Sequence, residues 1–243
     1  MSESDQIVRK STVERVDEGL RQYMVKVFNY MGIGLVVTAL SAYITLHTSL
    51  IMMMFSVDQA TQTFSLSGFG WIVVLAPLAL IFGFNAVLSK GSIAAAQIMF
   101  WAYSVLMGMS LANIGLLYTG DSITRVFLIT AATFGGMSLL GYTTKKDLTK
   151  IGSFFYMGLW GIIIASIANI FMQSSGLYYA ISYIAVLTFT VLTAYDVQVI
   201  KSMYYSSDNE DSMSRKAIAG AMNLYLDFIN LFIYLMRILG DRK

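Results

Sequence analysis

The sequence predicts an all-α integral membrane protein of about seven transmembrane helices, with a central seventh helix wrapped by the other six. Three observations lead there. Of the 243 residues 57% are hydrophobic and only 12% charged, where an average soluble domain carries roughly 25% charged residues. The apolar residues fall into runs long enough to cross about 30 Å of hydrocarbon. Finally, the last run carries a polar stripe that hydrocarbon cannot solvate, so it belongs inside a bundle.

Residues 1–24 read as an N-terminal cytoplasmic tail with an interfacial helix. Both signs of charge are present (Glu3, Asp5, Arg9, Lys10, Glu14, Arg15), without the short apolar core of a cleavable signal. Ser11 and Glu14 have the spacing of a capping box, and Val13, Val16, Leu20 and Met24 recur at helical steps. Residues 25–243 form the seven-helix transmembrane domain. Its spans are expected at about 25–45, 70–88, 93–118, 123–142, 151–172, 177–200 and 217–239. Pro77 should kink the second of them. The connections are short except two: 47–69, polar and rich in Ser and Thr, and 202–214, which holds Asp208, Glu210 and Asp211.

Loop charge predicts the orientation, because Lys and Arg stay on the cytoplasmic side. Lys90, then Lys145, Lys146 and Lys150, then Lys201, Arg215 and Lys216 all lie in connections on the side of the N-terminal tail. The connections 47–69 and 173–176 contain no Lys or Arg. Arg237, Arg242 and Lys243 run against this rule, since seven crossings place them outside. Arg125, at the start of the fourth span, is expected to snorkel toward headgroups or to serve as a counter-ion.

Composition also excludes function classes. The 16 basic and 14 acidic residues nearly cancel, leaving no basic face for nucleic acid. With no Cys and a single His, His47, there is no thiolate nucleophile, Cys/His zinc set or disulfide framework. The chain is expected not to be an enzyme and to hold no tightly bound cofactor.

Acids inside a span are costly and are functional candidates by default. There are two here. Asp196 lies late in the sixth span and Asp227 near the middle of the seventh, where Gly220, Asn223, Asp227, Asn230, Tyr234 and Arg237 follow at steps of three or four and share one face. If the sixth helix continues to about Tyr205, the two acids lie roughly 15 Å from the loop that joins their helices. Antiparallel neighbours at equal depth bring such carboxyls together, and two in contact share a proton and titrate as a pH-sensitive unit. The plainer alternative is an interfacial Asp196 beside Lys201 and an Asp227 that hydrogen-bonds a neighbouring helix. Met and aromatic residues read as packing and interface anchors.

From Gly141 onward the sequence resembles the bacterial branch of the Bax inhibitor-1 family, the transmembrane Bax inhibitor motif proteins. The resemblance rests on Lys145-Lys146-Asp147-Leu148, on Tyr195-Asp196 with Gln198, Ile200 and Lys201, and on Asn223-Leu224-Tyr225-Leu226-Asp227-Phe228-Ile229-Asn230-Leu231-Phe232 closing with Arg237. It implies a pH-sensitive calcium leak governed by the pair matching Asp196 and Asp227. It also implies a basic latch from the second span onto the seventh-span aspartate, yet the second span has no Lys, Arg or acid between Gly70 and Leu88.

The expected function is therefore a cation leak, with calcium as the ion and Asp196 and Asp227 as pathway, gate and weak metal ligands. Thr193, Asn223, Asn230, Tyr234 and Arg237 supply supporting polar lining. Two carboxylates fall short of the six to eight oxygens that calcium prefers, so binding should be weak, which suits transit. The alternative is a membrane-embedded regulator that binds a membrane protease or another membrane complex. An intramembrane aspartyl protease is disfavoured, because Leu224, Tyr225 and Leu226 stand where those enzymes carry Gly-x-Gly before the second aspartate. The expected partners are the lipid bilayer and cations, and the expected location is the plasma (inner) membrane with the N-terminus cytoplasmic.

Overall fold

The computed structural model describes residues 3–57, 64–89 and 92–243, with side-chain surroundings from Glu18 onward within those ranges. Its elements in chain order are α1 (Glu3–His47), α2 (Leu50–Met54), β1 (Phe55–Val57), β2 (Phe64–Leu66), α3 (Gly68–Ser89), α4 (Ile93–Leu117), α5 (Gly120–Thr143), α6 (Thr149–Met172), α7 (Ser175–Ser202) and α8 (Glu210–Leu239). Seven stretches are long and apolar enough to cross a bilayer: Glu18–His47, and the helices α3 to α8. Six of them cover an expected span and extend past it at one end or both, while α4 begins where expected at Ile93 and ends one residue short of Tyr118.

Short polar side chains start the helices. Ser92, Thr119, Ser174 and Asn209 each accept a hydrogen bond from the backbone N–H three residues on, satisfying a donor that the helix cannot. The link between α6 and α7 is a tight turn in which Gln173 adopts φ 50°, a left-handed conformation unusual outside glycine.

Two expectations change, at Ser11 and in the connection 47–69. α1 is one uninterrupted helix from Glu3, so Ser11 lies within it and does not begin it. Pro77 lies buried inside α3, which is helical on both sides of it. The described parts of the connection 47–69 carry α2 followed by an antiparallel ribbon pairing Phe55 with Leu66 and Val57 with Phe64. As expected, α8 is the innermost of the spans. It packs against α1, α4, α5 and α7, while α3 leans on α4 and α6 on α7 as an outer layer.

Burial follows this layering: in their most apolar windows α8 is 67% buried, α7 44% and α6 6%. Most of the outer surface is apolar, as a lipid-facing surface must be. Trp160, Ile164, Ile170 and Phe171 of α6 all point outward. Around α8 the core is aromatic and small by turns. Phe228 meets Phe127 and Phe134 of α5 edge-on, with centroids 5.5 and 5.4 Å away. On the opposite side the Tyr225 hydroxyl lies 2.6 Å from the Thr38 hydroxyl, itself 3.0 Å from the Ser104 carbonyl, so one buried polar knot ties α1, α4 and α8.

Asp241, Arg242 and Lys243 pair with the α4–α5 connection. The Thr119 N–H donates to the Asp241 carbonyl at 3.0 Å, and the Lys243 N–H to the Leu117 carbonyl at 3.0 Å. Arg125 has a counter-ion: its Nη2 lies 2.8 Å from Asp241 Oδ2. Both partners are more than half exposed, so the pair contributes at most about 1 kcal/mol.

Candidate functional site: a buried aspartate pair

The register between α7 and α8 is set by two contacts. Phe189 stacks on Tyr234 with centroids 6.0 Å apart, and Gly220 leaves room for the Ile200 side chain beside it. Seven residues on from Phe189 is Asp196, and seven back from Tyr234 is Asp227. Two helical turns along antiparallel neighbours return to the same facing surface, so the two acids meet. Both are 5% exposed, and their carboxyls are side-chain neighbours near enough to interact directly.

This meeting does not arise from the equal loop distances that the sequence suggested. α7 stops at Ser202, short of Tyr205, and α8 begins at Glu210. Because Gly220 sits beside Ile200 and α7 ends two residues later, about the first eight residues of α8 extend past the level where α7 ends. The loop between them folds back against α1, where Tyr204 lies 5.8 Å from Tyr23 between ring centroids.

A third residue completes the site. Tyr156 of α6 donates to Asp196, its hydroxyl lying 3.1 Å from Oδ1 and 3.2 Å from Oδ2. One turn earlier Gly152 faces the Tyr195 ring so closely that a Cβ would collide with it. That missing Cβ lets α6 approach α7 and brings Tyr156 over the acid. In sequence Tyr156 is one more aromatic in an apolar run, with no signal separating it from a packing residue. Across the pair, Asp227 Oδ2 is buried with no hydrogen-bond partner. A carboxylate oxygen removed from water and left unmatched is costly, and such atoms cluster where something binds or a proton moves.

The expected lining residues divide. Thr193 is buried, but its hydroxyl donates to the Phe189 carbonyl of its own helix at 2.7 Å. Asn230 likewise donates to the Leu226 carbonyl at 2.8 Å. Asn223, one turn before Asp227, is exposed. Tyr234 is engaged with Phe189, and Arg237 lies over the Tyr178 and Tyr234 rings at 5.1 and 4.8 Å.

Beneath the pair the inner ends of the helices are fastened. Gln198 Oε1 accepts from the Leu148 N–H at 2.8 Å, while its Nε2 donates to the Lys146 carbonyl at 2.8 Å. Lys201 donates to the Tyr142 carbonyl at 2.8 Å. Asp147 caps the start of α6 by accepting from the Thr149 N–H at 2.8 Å, and its hydrogen bonds with Thr149 hold its carboxyl below the usual range. Among the described residues no three His, Cys, Asp or Glu side chains gather as a metal site. The pair thus offers a cation at most two carboxylates.

The fold and its buried acids define an all-α, multi-pass membrane protein whose innermost helix carries a carboxylate. Residues 20–243 match the family described as inhibitor of apoptosis-promoting Bax1. The chain belongs to the Bax inhibitor-1 family. It is 47% identical over 227 residues to a protein of Rickettsia prowazekii, covering 93% of this chain and 92% of the relative. It is also 38% identical over 241 residues to the inner membrane protein YbhL of Escherichia coli, covering 98% of this chain and all of that one. A Borreliella burgdorferi protein is 45% identical over 224 residues, 91% of this chain and 93% of the relative.

Proposed function

We propose that the chain is a pH-sensitive cation leak of the plasma (inner) membrane, with calcium as the ion carried and the Asp196–Asp227 pair as its gate. The observation that carries this reading is the pair itself: two facing carboxyls on the two most buried spans, one held by Tyr156 and the other with an unmatched oxygen. A buried anionic pair attracts a hard cation, and too few ligands to retain it favour release. Protonation removes the charge, so cation occupancy of the pair falls as pH falls and flux varies with pH. The titratable side chains facing one another there are Asp196, Asp227 and Tyr156. The N-terminus is on the cytoplasmic side in this reading, and no covalent chemistry is required of the aspartates.

Calcium flux into liposomes containing the purified protein, scanned from about pH 5 to pH 8, where a coupled pair titrates, tests the proposal. Wild-type flux should change across the range. Asp196→Asn and Asp227→Asn should abolish the flux or flatten its pH profile. No flux above empty liposomes from folded protein, or an unchanged profile in both variants, would remove the gate.

A further inference from the structure

Near the outer ends of α6, α7 and α8, well away from the aspartates, is a cavity of about 390 Å³ lined by Ser166, Asn169, Tyr178, Tyr234 and Arg237 together with apolar residues. It adjoins a second of about 310 Å³ that shares Asn169 and Tyr178 and reaches Arg242. We propose that this vestibule binds a phosphate group, with the Arg237 guanidinium as its principal ligand.

Two unmet groups line the first cavity. A guanidinium carries five N–H donors in a rigid plane. Arg237, half-buried, lies over the Tyr178 and Tyr234 rings. Among the described residues, no carboxylate pairs with it and no oxygen accepts a hydrogen bond from it. Ring faces attract the charge but satisfy none of its N–H groups. Ser166 Oγ is also buried without a partner. Of the other basic groups at this end, Arg125 has Asp241, Lys243 Nζ has the Gly115 carbonyl at 2.6 Å, and Arg242 lies against the Tyr118 and Tyr178 hydroxyls.

An occupant meeting both vacancies needs negative charge and several acceptor oxygens in a compact group. Phosphate has these, and the planar fork of arginine binds it through two parallel hydrogen bonds. The position agrees. Arg237 is two residues before Leu239, the last residue of α8, and Asn169 is three before the end of α6, so the cavity lies where headgroup phosphates are found. Arg242, set against the Tyr118 and Tyr178 hydroxyls, adds a second positive charge at the neighbouring mouth. About ten residues of α8, roughly 15 Å, separate Arg237 from Asp227, so phosphate binding does not depend on the leak. The chemistry is the same for a phospholipid headgroup and for free phosphate.

The test titrates the purified full chain in detergent with inorganic phosphate, with a short-chain phosphatidylglycerol and with a diacylglycerol of equal chain length, following the thermal unfolding midpoint. Saturable stabilisation by phosphatidylglycerol alone identifies a headgroup site, and stabilisation by inorganic phosphate as well shows that the free anion suffices. Diacylglycerol should do nothing. Arg237→Gln should weaken the response about tenfold, the size of one lost charge-assisted pair, with Arg237→Lys in between. Ser166→Ala guards against a folding defect, because it should weaken binding in a folded protein. Equal responses in wild type and Arg237→Gln, or no phosphate response with Ser166→Ala simply more stable, would overturn the proposal.

Discussion

Asp196 and Asp227 are alike in burial yet differ in what surrounds them. Asp196 receives a hydroxyl, whereas one oxygen of Asp227 receives nothing. The Tyr156 hydroxyl favours the charged form of its partner, because a donor bound to a carboxylate competes with protonation. Tyr156→Phe keeps the ring, which faces outward with 41% exposure, and removes only that donor. The pH profile of flux should then be displaced toward higher pH with little change in thermal stability, measured in the same liposome and unfolding assays. A profile identical to wild type would show that Tyr156 is only a packing residue. The same side chain marks the limit of sequence reading at this scale. Both acids are visible because charge in an apolar run is conspicuous. A tyrosine in such a run is ordinary, and its role arises from a neighbouring helix more than 30 residues away in sequence.

Between elements, the absence of side chains decides how closely helices approach. Gly141 of α5 faces the Ala194 carbonyl of α7, where a Cβ would strike backbone, while Gly136 of the same helix has nothing near it. Gly141→Leu should therefore destabilise the protein by about 1–3 kcal/mol, as overpacking does, and Gly136→Leu should be tolerated. Unfolding of both variants in a denaturing-detergent titration measures the contrast, and equal losses would contradict it. The spans themselves were legible in sequence to within a few residues in most cases, since hydropathy responds directly to the bilayer. Their neighbours were less so. The stripe on α8 showed that it is internal, but nothing in a stripe says which helices face it, and α3 and α6 stand outside the inner ring. The ribbon of β1 and β2 was hidden because three-residue strands in a polar connection have no periodicity to read. The end of α7 was overestimated because Met203, Tyr204 and Tyr205 continue an apolar pattern, although the chain turns there and Tyr204 packs on Tyr23 of α1.

For the whole molecule, the odd number of crossings puts the described ends of the chain on opposite sides of the bilayer, and the connections rich in lysine lie on the side of α1's start. The absence of cysteine makes this easy to examine. In intact cells Gln173→Cys should react with a membrane-impermeant maleimide, whereas Lys145→Cys should react only after the membrane is opened. The reverse pattern would invert the orientation and with it the direction in which the pair faces the cytoplasm.

The position of α8 also bears on how the protein is made. The helix that fills the centre is the last of the seven spans in chain order, so α1 and α3 to α7 leave the ribosome before their common core exists. Their inner faces lack the helix they pack on until α8 arrives, and Asp196 has only Tyr156 of α6 beside it. Insertion must therefore yield an open cluster of helices that admits its axis late. The short pairing of residues 241–243 with residues 117–119 then acts as a clasp, closing at the α4–α5 end of the bundle once the axis is in place.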